Sequence, residues 1–173
     1  MGNTVGSRDK TKLNLSVTEC AFIAGFLEGD GCISAKITPT SGSYRVMIVI
    51  SFTQRQEGRI VLEYLANLLH EPIADYSTRN MSELVVRERK KLISLIESIQ
   101  PFLVSKQQQA RYALKIIEIL NRSKRGALRS PKNLLETVNL AEKIRALNSG
   151  RKDKVVHTFS TVYNRLKEKG LVF

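Results

Sequence analysis

The chain has 173 residues, 42% of them apolar, enough for one buried core, and its 28 basic against 16 acidic side chains leave a formal charge of +12. Two cysteines, two histidines, no tryptophan and 6% aromatics argue against disulfide or zinc scaffolds and against single-strand binders built on stacked rings. No apolar run reaches the roughly 18 residues of a membrane span, so the positive field points to duplex nucleic acid rather than to a membrane.

Residues 1–12 read as a flexible basic arm. Gly6 stands where a myristoylation signal needs a hydroxyl and no secretory apolar stretch follows, so the protein is expected to be intracellular and soluble, with organelle and prokaryotic cytoplasm both open. Ser16-Val17-Thr18-Glu19 is a capping box, whose hydroxyl and carboxylate satisfy the first free amides of a helix running to about Gly29. Glycines at 29 and 31 stop it, and Cys32 to Thr38 alternates, with Ile33, Ala35 and Ile37 on one face. Pro39 to Ser43 is turn chemistry, and Tyr44 to Thr53 is a second strand with Val46, Ile48, Ile50 and Phe52 facing the core. The spacing of Ile60, Val61, Leu65, Leu68 and Leu69 predicts a helix over Gly58 to Leu69. Ile73 to Arg79 and Ser82 to Arg87 form another hairpin through Asn80, with Tyr76, Leu84 and Val86 inward. Lys90 to Ile99 is a further helix, ended by Pro101.

This order repeats an αββ unit and predicts an α+β fold, αββαββα, with a twisted four-stranded antiparallel sheet and helices on one face. Three more helical patterns, about Ser105 to Asn121, Pro131 to Asn148 and Phe159 to Lys169, complete a C-terminal part. The expected organisation is the arm 1–12 and a single domain 13–173, with its αββαββα core at 13–104 and C-terminal helices and basic loops at 105–173. Arg122, Lys124, Arg125, Arg129 and Lys132 lie together without an acid, and Arg151, Lys152 and Lys154 with Asp153 alone. As clusters they suit phosphate contact; singly, each reads equally well as a solvated loop cation.

The stretch that carries chemistry is FIAGFLEGDG, Phe22 to Gly31. Ala21, Gly25 and Gly29 recur every four residues and leave one stripe of the helix nearly bare, so a second helix can approach closely. Ala24 and Glu28 are grouped with that stripe as expected contacts. At its foot, Asp30 stands between glycines that let metal, water or phosphate reach the main chain.

FIAGFLEGDG resembles the defining motif of the LAGLIDADG endonuclease family, with Glu28 at its first acidic position and Asp30 at its last. Phe52-Thr53-Gln54 looks like the end of the family's second strand. QPFLVSKQQQA, Gln100 to Ala110, resembles the segment that holds an active-site lysine, here Lys106, and Ala146-Leu147-Asn148 resembles a third, C-terminal segment. The resemblance implies that the motif helices of two half-enzymes pack at the centre, each final acid binding divalent metal beside a scissile phosphate. After Gly31 the glycines stand singly, so this chain has one such motif and a homodimer about a twofold axis is required.

Two ionised carboxylates about 5 Å apart repel by roughly 3 kcal/mol at an effective dielectric of about 20, and a divalent cation reverses that sign. Oxygen ligands and a phosphate substrate point to Mg2+, with Mn2+ as a substitute. By resemblance the Gly29 carbonyl is a second protein ligand, while Gln54 orders the attacking water and Lys106 stabilises developing charge. The family's basic residue beyond the glutamine aligns with Gly58, and Arg59 is the candidate replacement.

For reading bases in the major groove, the expected open sheet face offers Ser34, Lys36, Thr38, Arg45, Met47, Val49, Ser51, Arg55, Asp75, Ser77, Arg79, Glu83 and Arg87, with Arg59 nearby. Met47 and Val49 are odd on a solvated face and suit thymine methyl groups. An ordinary solvated sheet alternates in the same way. The function implied is a site-specific double-strand DNA endonuclease, intron-encoded and homing, cutting a long pseudo-palindromic target. The alternatives are a maturase binding its intron RNA and a non-catalytic DNA-binding regulator. Asp30, Gln54 and Lys106 together favour the endonuclease, because a binding module has no need of them.

Overall fold

The computed structural model describes residues 13–41, 43–122, 130–148 and 157–172. The arm 1–12 and the basic residues Lys124, Arg125, Arg129, Arg151, Lys152 and Lys154 lie outside the described residues. Helix α1, Val17–Asp30, starts at the capping box, where the Glu19 N–H donates to the Ser16 hydroxyl at 3.3 Å and the Ser16 N–H donates to the Glu19 carboxylate at 2.7 Å. Strands β1 (Gly31–Pro39) and β2 (Tyr44–Arg55) follow, then α2 (Arg59–Leu69), β3 (Ile73–Tyr76), β4 (Met81–Val86) and α3 (Arg89–Ile99). Helices α4 (Gln107–Arg122), α5 (Pro131–Leu147) and α6 (Phe159–Glu168) complete the chain. The element order is therefore the expected one.

The strands form one antiparallel sheet in the order β1-β2-β4-β3. Alternation sends Ile33, Val46, Ile48, Ile50, Phe52, Leu84 and Val86 into a single core with Ile23 and Leu27 of α1, Leu62 and Leu65 of α2, and Leu92 and Leu95 of α3. Each such side chain contributes about 1.5–3 kcal/mol on burial, which fixes the helices to one face. The other face is left open, with Lys36, Arg45, Met47 and Arg55 exposed. No helix among the described residues is long and apolar enough to cross a membrane.

The structure corrects several expectations. In β3, Ile73 pairs with Leu84 and Asp75 with Ser82, both partners being buried on the helix side, while Ala74 and Tyr76 pair with Glu83 and Met81 on the open side. Tyr76, expected inward, is thus 46% exposed, and Asp75, expected on the open face, belongs to the opposite one. A one-residue slip of a period-two pattern inverts the whole strand, and Ile73 rather than the tyrosine ring is its anchor. Ser77 and Arg79 are not on the sheet either. They form a 3-10 turn that closes through Asn80 in the left-handed region at φ 51°.

Val49 is 3% exposed although it lies on the open side of β2, just beyond the stretch paired to β4. Ser34 faces it from β1, and Arg45, Met47 and Arg87 line the same hollow. Ala24 is fully buried in the chain's own core beside Ile23 and Leu27, so it is unavailable to a partner helix. In α2 the inward stripe is Leu62, Leu65 and Leu69, and Ile60 is 74% exposed.

Candidate active site

Asp30 is the last residue of α1, at the helix end where carbonyls lack partners and the dipole is negative, a place that favours a cation over a lone carboxylate. The chain turns directly into β1 at Gly31, whose N–H donates to the Leu27 carbonyl. A Cβ there would lie 2.5 Å from Leu27 Cδ1 and 2.8 Å from Leu27 Cα, so this position requires glycine. Gly25 and Gly29 differ: an added Cβ would meet nothing within 4 Å. Their smallness serves no contact inside the chain. With exposed Ala21, they form the expected bare stripe, and it faces outward.

Gln54, near the end of β2, donates its Nε2 to Asp30 Oδ2 at 2.7 Å. A Cβ at Gly58 would lie 3.1 Å from Gln54 Oε1, so the glycine leaves that amide its room. Lys106, at the entry to α4, donates Nζ to the Glu28 carbonyl at 2.6 Å. The three residues expected to act together are thus all attached to the end of α1.

Glu28 departs from its expected place on the interface stripe. Its carboxylate turns into its own chain and accepts from the backbone N–H groups of Val104 (2.9 Å), Ser105 (3.1 Å) and Lys106 (3.0 Å), and from the Ser105 hydroxyl. Burial alone would raise its pKa, but the Ser105 hydroxyl and these amides outweigh it and hold the carboxyl below its ordinary value. No local pattern signals this cap, since the partners are 76 to 78 positions away. Arg59 is likewise committed elsewhere: its guanidinium donates to Glu63 and, at 3.2 Å, to Asp75, rather than standing over Gln54. Asp75 also accepts from the Ser82 hydroxyl at 2.6 Å, and that bond followed by the Arg59 charge lowers its pKa.

On the open face, Ser34, Lys36 and Thr38 stand opposite Val49, Met47 and Arg45. Ser51 and Glu83 are half-buried there, and Arg87 is exposed beyond the end of β4. The Ser34 hydroxyl donates to the Val49 carbonyl at 3.4 Å, and the Tyr76 hydroxyl donates to Glu83 at 3.2 Å. By register, Thr53, Ala74, Tyr76 and Val85 join this face, and sequence reading missed them. Arg122 is paired with Glu118, and Lys132 is exposed in the first turn of α5; neither belongs to the sheet. A second omission adjoins the bare stripe, where Val17, Phe22, Ile60 and Tyr64 are exposed and the Phe22 ring meets Tyr64 edge-on at 5.4 Å.

Among the described residues no group of three or more histidine, cysteine, aspartate or glutamate side chains lies together. The described residues therefore bring to this place the Asp30 carboxylate with the Gln54 amide beside it. Such hard oxygen donors fit a divalent cation whose remaining ligands come from outside this chain.

An exposed acid ending a helix, an amide and a lysine bound to that same helix end, and an open cationic sheet together define a protein of the endonuclease class. The chain belongs to the LAGLIDADG endonuclease family, whose profile matches residues 23–120. It is 32% identical over 152 residues to DNA endonuclease I-CreI of Chlamydomonas reinhardtii, covering 86% of this chain and 90% of that one. It is 29% identical over 139 residues to DNA endonuclease I-CvuI of Chlorella vulgaris, covering 79% and 83%. The crystal structure of I-CvuI with the uncleaved I-CreI target in the presence of 2 mM Mg matches with a TM-score of 0.79 at 28% identity, over 90% of this chain and 97% of that one.

Proposed function

We propose that this protein is an intron-encoded, site-specific DNA endonuclease that pairs with a second copy of itself and hydrolyses both strands of a long pseudo-palindromic duplex with Mg2+ bound. The observation that carries this reading is the position of Asp30 at the foot of the outward stripe of Ala21, Gly25 and Gly29. A second α1 laid against that stripe brings two such acids to one place. The bound cation supplies charge neutralisation and Lewis-acid polarisation at the scissile phosphate. Asp30 and the Gly29 carbonyl hold it. Gln54, already hydrogen-bonded to Asp30, fixes the carboxylate and presents an amide to the attacking water. Lys106 places a fixed positive charge beside the site, anchored on the Glu28 carbonyl. The open sheet face presents Lys36, Arg45, Met47 and Glu83 to base edges, with arginine and lysine suited to guanine and the carboxylate to cytosine.

The test is incubation of the purified protein with magnesium and a plasmid library, followed by mapping of double-strand breaks. A symmetric consensus is expected. Asp30→Asn should lower cleavage by more than about a hundredfold, beyond the effect of losing a ligand's supporting partner, while retaining DNA binding. Undiminished cutting by the Asp30→Asn protein would remove the assigned mechanism.

A further inference from the structure

Asn148 closes the C-terminal end of α5, and its side chain reaches across to the first strand. Its Nδ2 donates to the Ile33 carbonyl at 2.9 Å and lies 3.7 Å from Cys32 Sγ. Strand β1 is at the edge of the sheet, so backbone groups on its outer side have no strand to pair with. Ile33 comes three residues after Asp30. Two residues before Asp30, the Glu28 carbonyl is held by Lys106 Nζ at 2.6 Å. The joint between α1 and β1 is therefore pinned on both sides, with Asp30 between the pins.

The pins are themselves connected. Gln109 lies one turn along α4 from Lys106, is 5% exposed, and donates Nε2 at 3.5 Å to the carbonyl of Leu147, the residue before Asn148. Among the described residues its Oε1 has no hydrogen-bond partner, so the Nε2 donor makes the amide's contact here. The links Lys106 to Glu28, Gln109 to Leu147 and Asn148 to Ile33 form a circuit that begins and ends at the joint.

We infer that Asn148 is a positioning residue of the active site: through the Ile33 carbonyl it sets the direction in which Asp30 presents its carboxylate to cation and phosphate. This rests on the endonuclease reading above. Asparagine suits the task because its amide donates while staying neutral; an aspartate at neutral pH has no donor, and a leucine of similar size has no polar atom. Loss of a group that orients a metal ligand typically weakens metal affinity or activity by roughly 10–100-fold. Ile33 is fully buried and Asn148 half-buried, so losing this bond also costs some stability, and the melting temperature reads that cost apart from the metal dependence.

The experiment compares wild type, Asn148→Leu and Gln109→Leu. The last exchanges a buried amide whose Oε1 has no partner among the described residues for an apolar side chain of similar size, and the melting temperature reads what the lost bond to Leu147 costs. Calcium binding to the protein–DNA complex is measured by titration calorimetry, and the magnesium dependence of single-turnover cleavage is measured with melting temperature and DNA affinity. For Asn148→Leu, calcium binding should weaken about tenfold and the magnesium requirement for cleavage should rise in parallel, with excess magnesium recovering the rate and DNA affinity retained. Gln109→Leu should move both in the same direction by less. A wild type that cuts beside variants with unchanged metal dependence overturns the positioning role alone. So does a cleavage defect that only tracks lost melting temperature and DNA affinity. A wild type that neither binds cation nor cuts overturns this inference together with the endonuclease reading.

Discussion

At Glu28 a single carboxylate closes the start of α4, taking three backbone amides and a hydroxyl that would otherwise face water or nothing. Burial works against the charge, but the Ser105 hydroxyl and the three amides favour the ionised form and together hold the pKa below its ordinary value. Because the folded pKa lies below the ordinary value of 4.5, the stabilisation is fully present above 4.5 and is lost as pH falls through the folded value. Glu28→Gln keeps the shape but loses the charge. It should cost about 1 kcal/mol at neutral pH, the usual effect of a lost cap, or roughly 2–4 °C in melting temperature. The two melting curves should converge on acidification below 4.5; a gap independent of pH would mean that charge is not responsible. Gly31 is fixed with similar strictness by sterics, since only a missing Cβ clears Leu27.

Among the elements, those with strong local signals were legible in the sequence. The capping box placed α1, and the long alternating runs placed β1 and β2 with the correct faces. The motif and its two companion segments singled out Asp30, Gln54 and Lys106. Strand β3 was misread because four residues give too short a run to fix parity, and a tyrosine ring resembles core until its hydroxyl is seen on Glu83. Ala24 was misplaced for a related reason: spacing of four marks a stripe on a helix, but α1 is apolar all round, and adjacent stripes face the core and the outside. The Glu28 cap and the Asn148 bond join parts of the chain 76 and 115 positions apart, which no local pattern encodes, while the Asp75 tie to Ser82 depends on the parity of β3. The outward stripe yields a direct test. In Gly25→Leu the added carbon meets no atom of its own chain, and helix propensity improves by up to about 1 kcal/mol, so the fold should persist. Sedimentation should nevertheless show separated monomers, and cleavage should vanish. An intact dimer would refute the packing stripe.

Across the whole molecule, a formal charge of +12 includes Lys36, Arg45, Arg55 and Arg87 on or beside the open face. If these and the cationic loops meet phosphates, binding should weaken steeply with salt, the log–log slope rising by roughly 0.9 for each phosphate neutralised. Equilibrium binding to a mapped target over a range of potassium chloride concentrations gives that slope, and a nearly flat profile contradicts the assignment. The bond from Lys106 to Glu28 spans 78 positions. A ribosome adding roughly 5–20 residues per second releases the acid roughly 4–16 s before that lysine has been made, and the asparagine comes later still. A nascent chain therefore holds Asp30 without the two ties that steady its helix end until the segments bearing Lys106 and Asn148 have both been made.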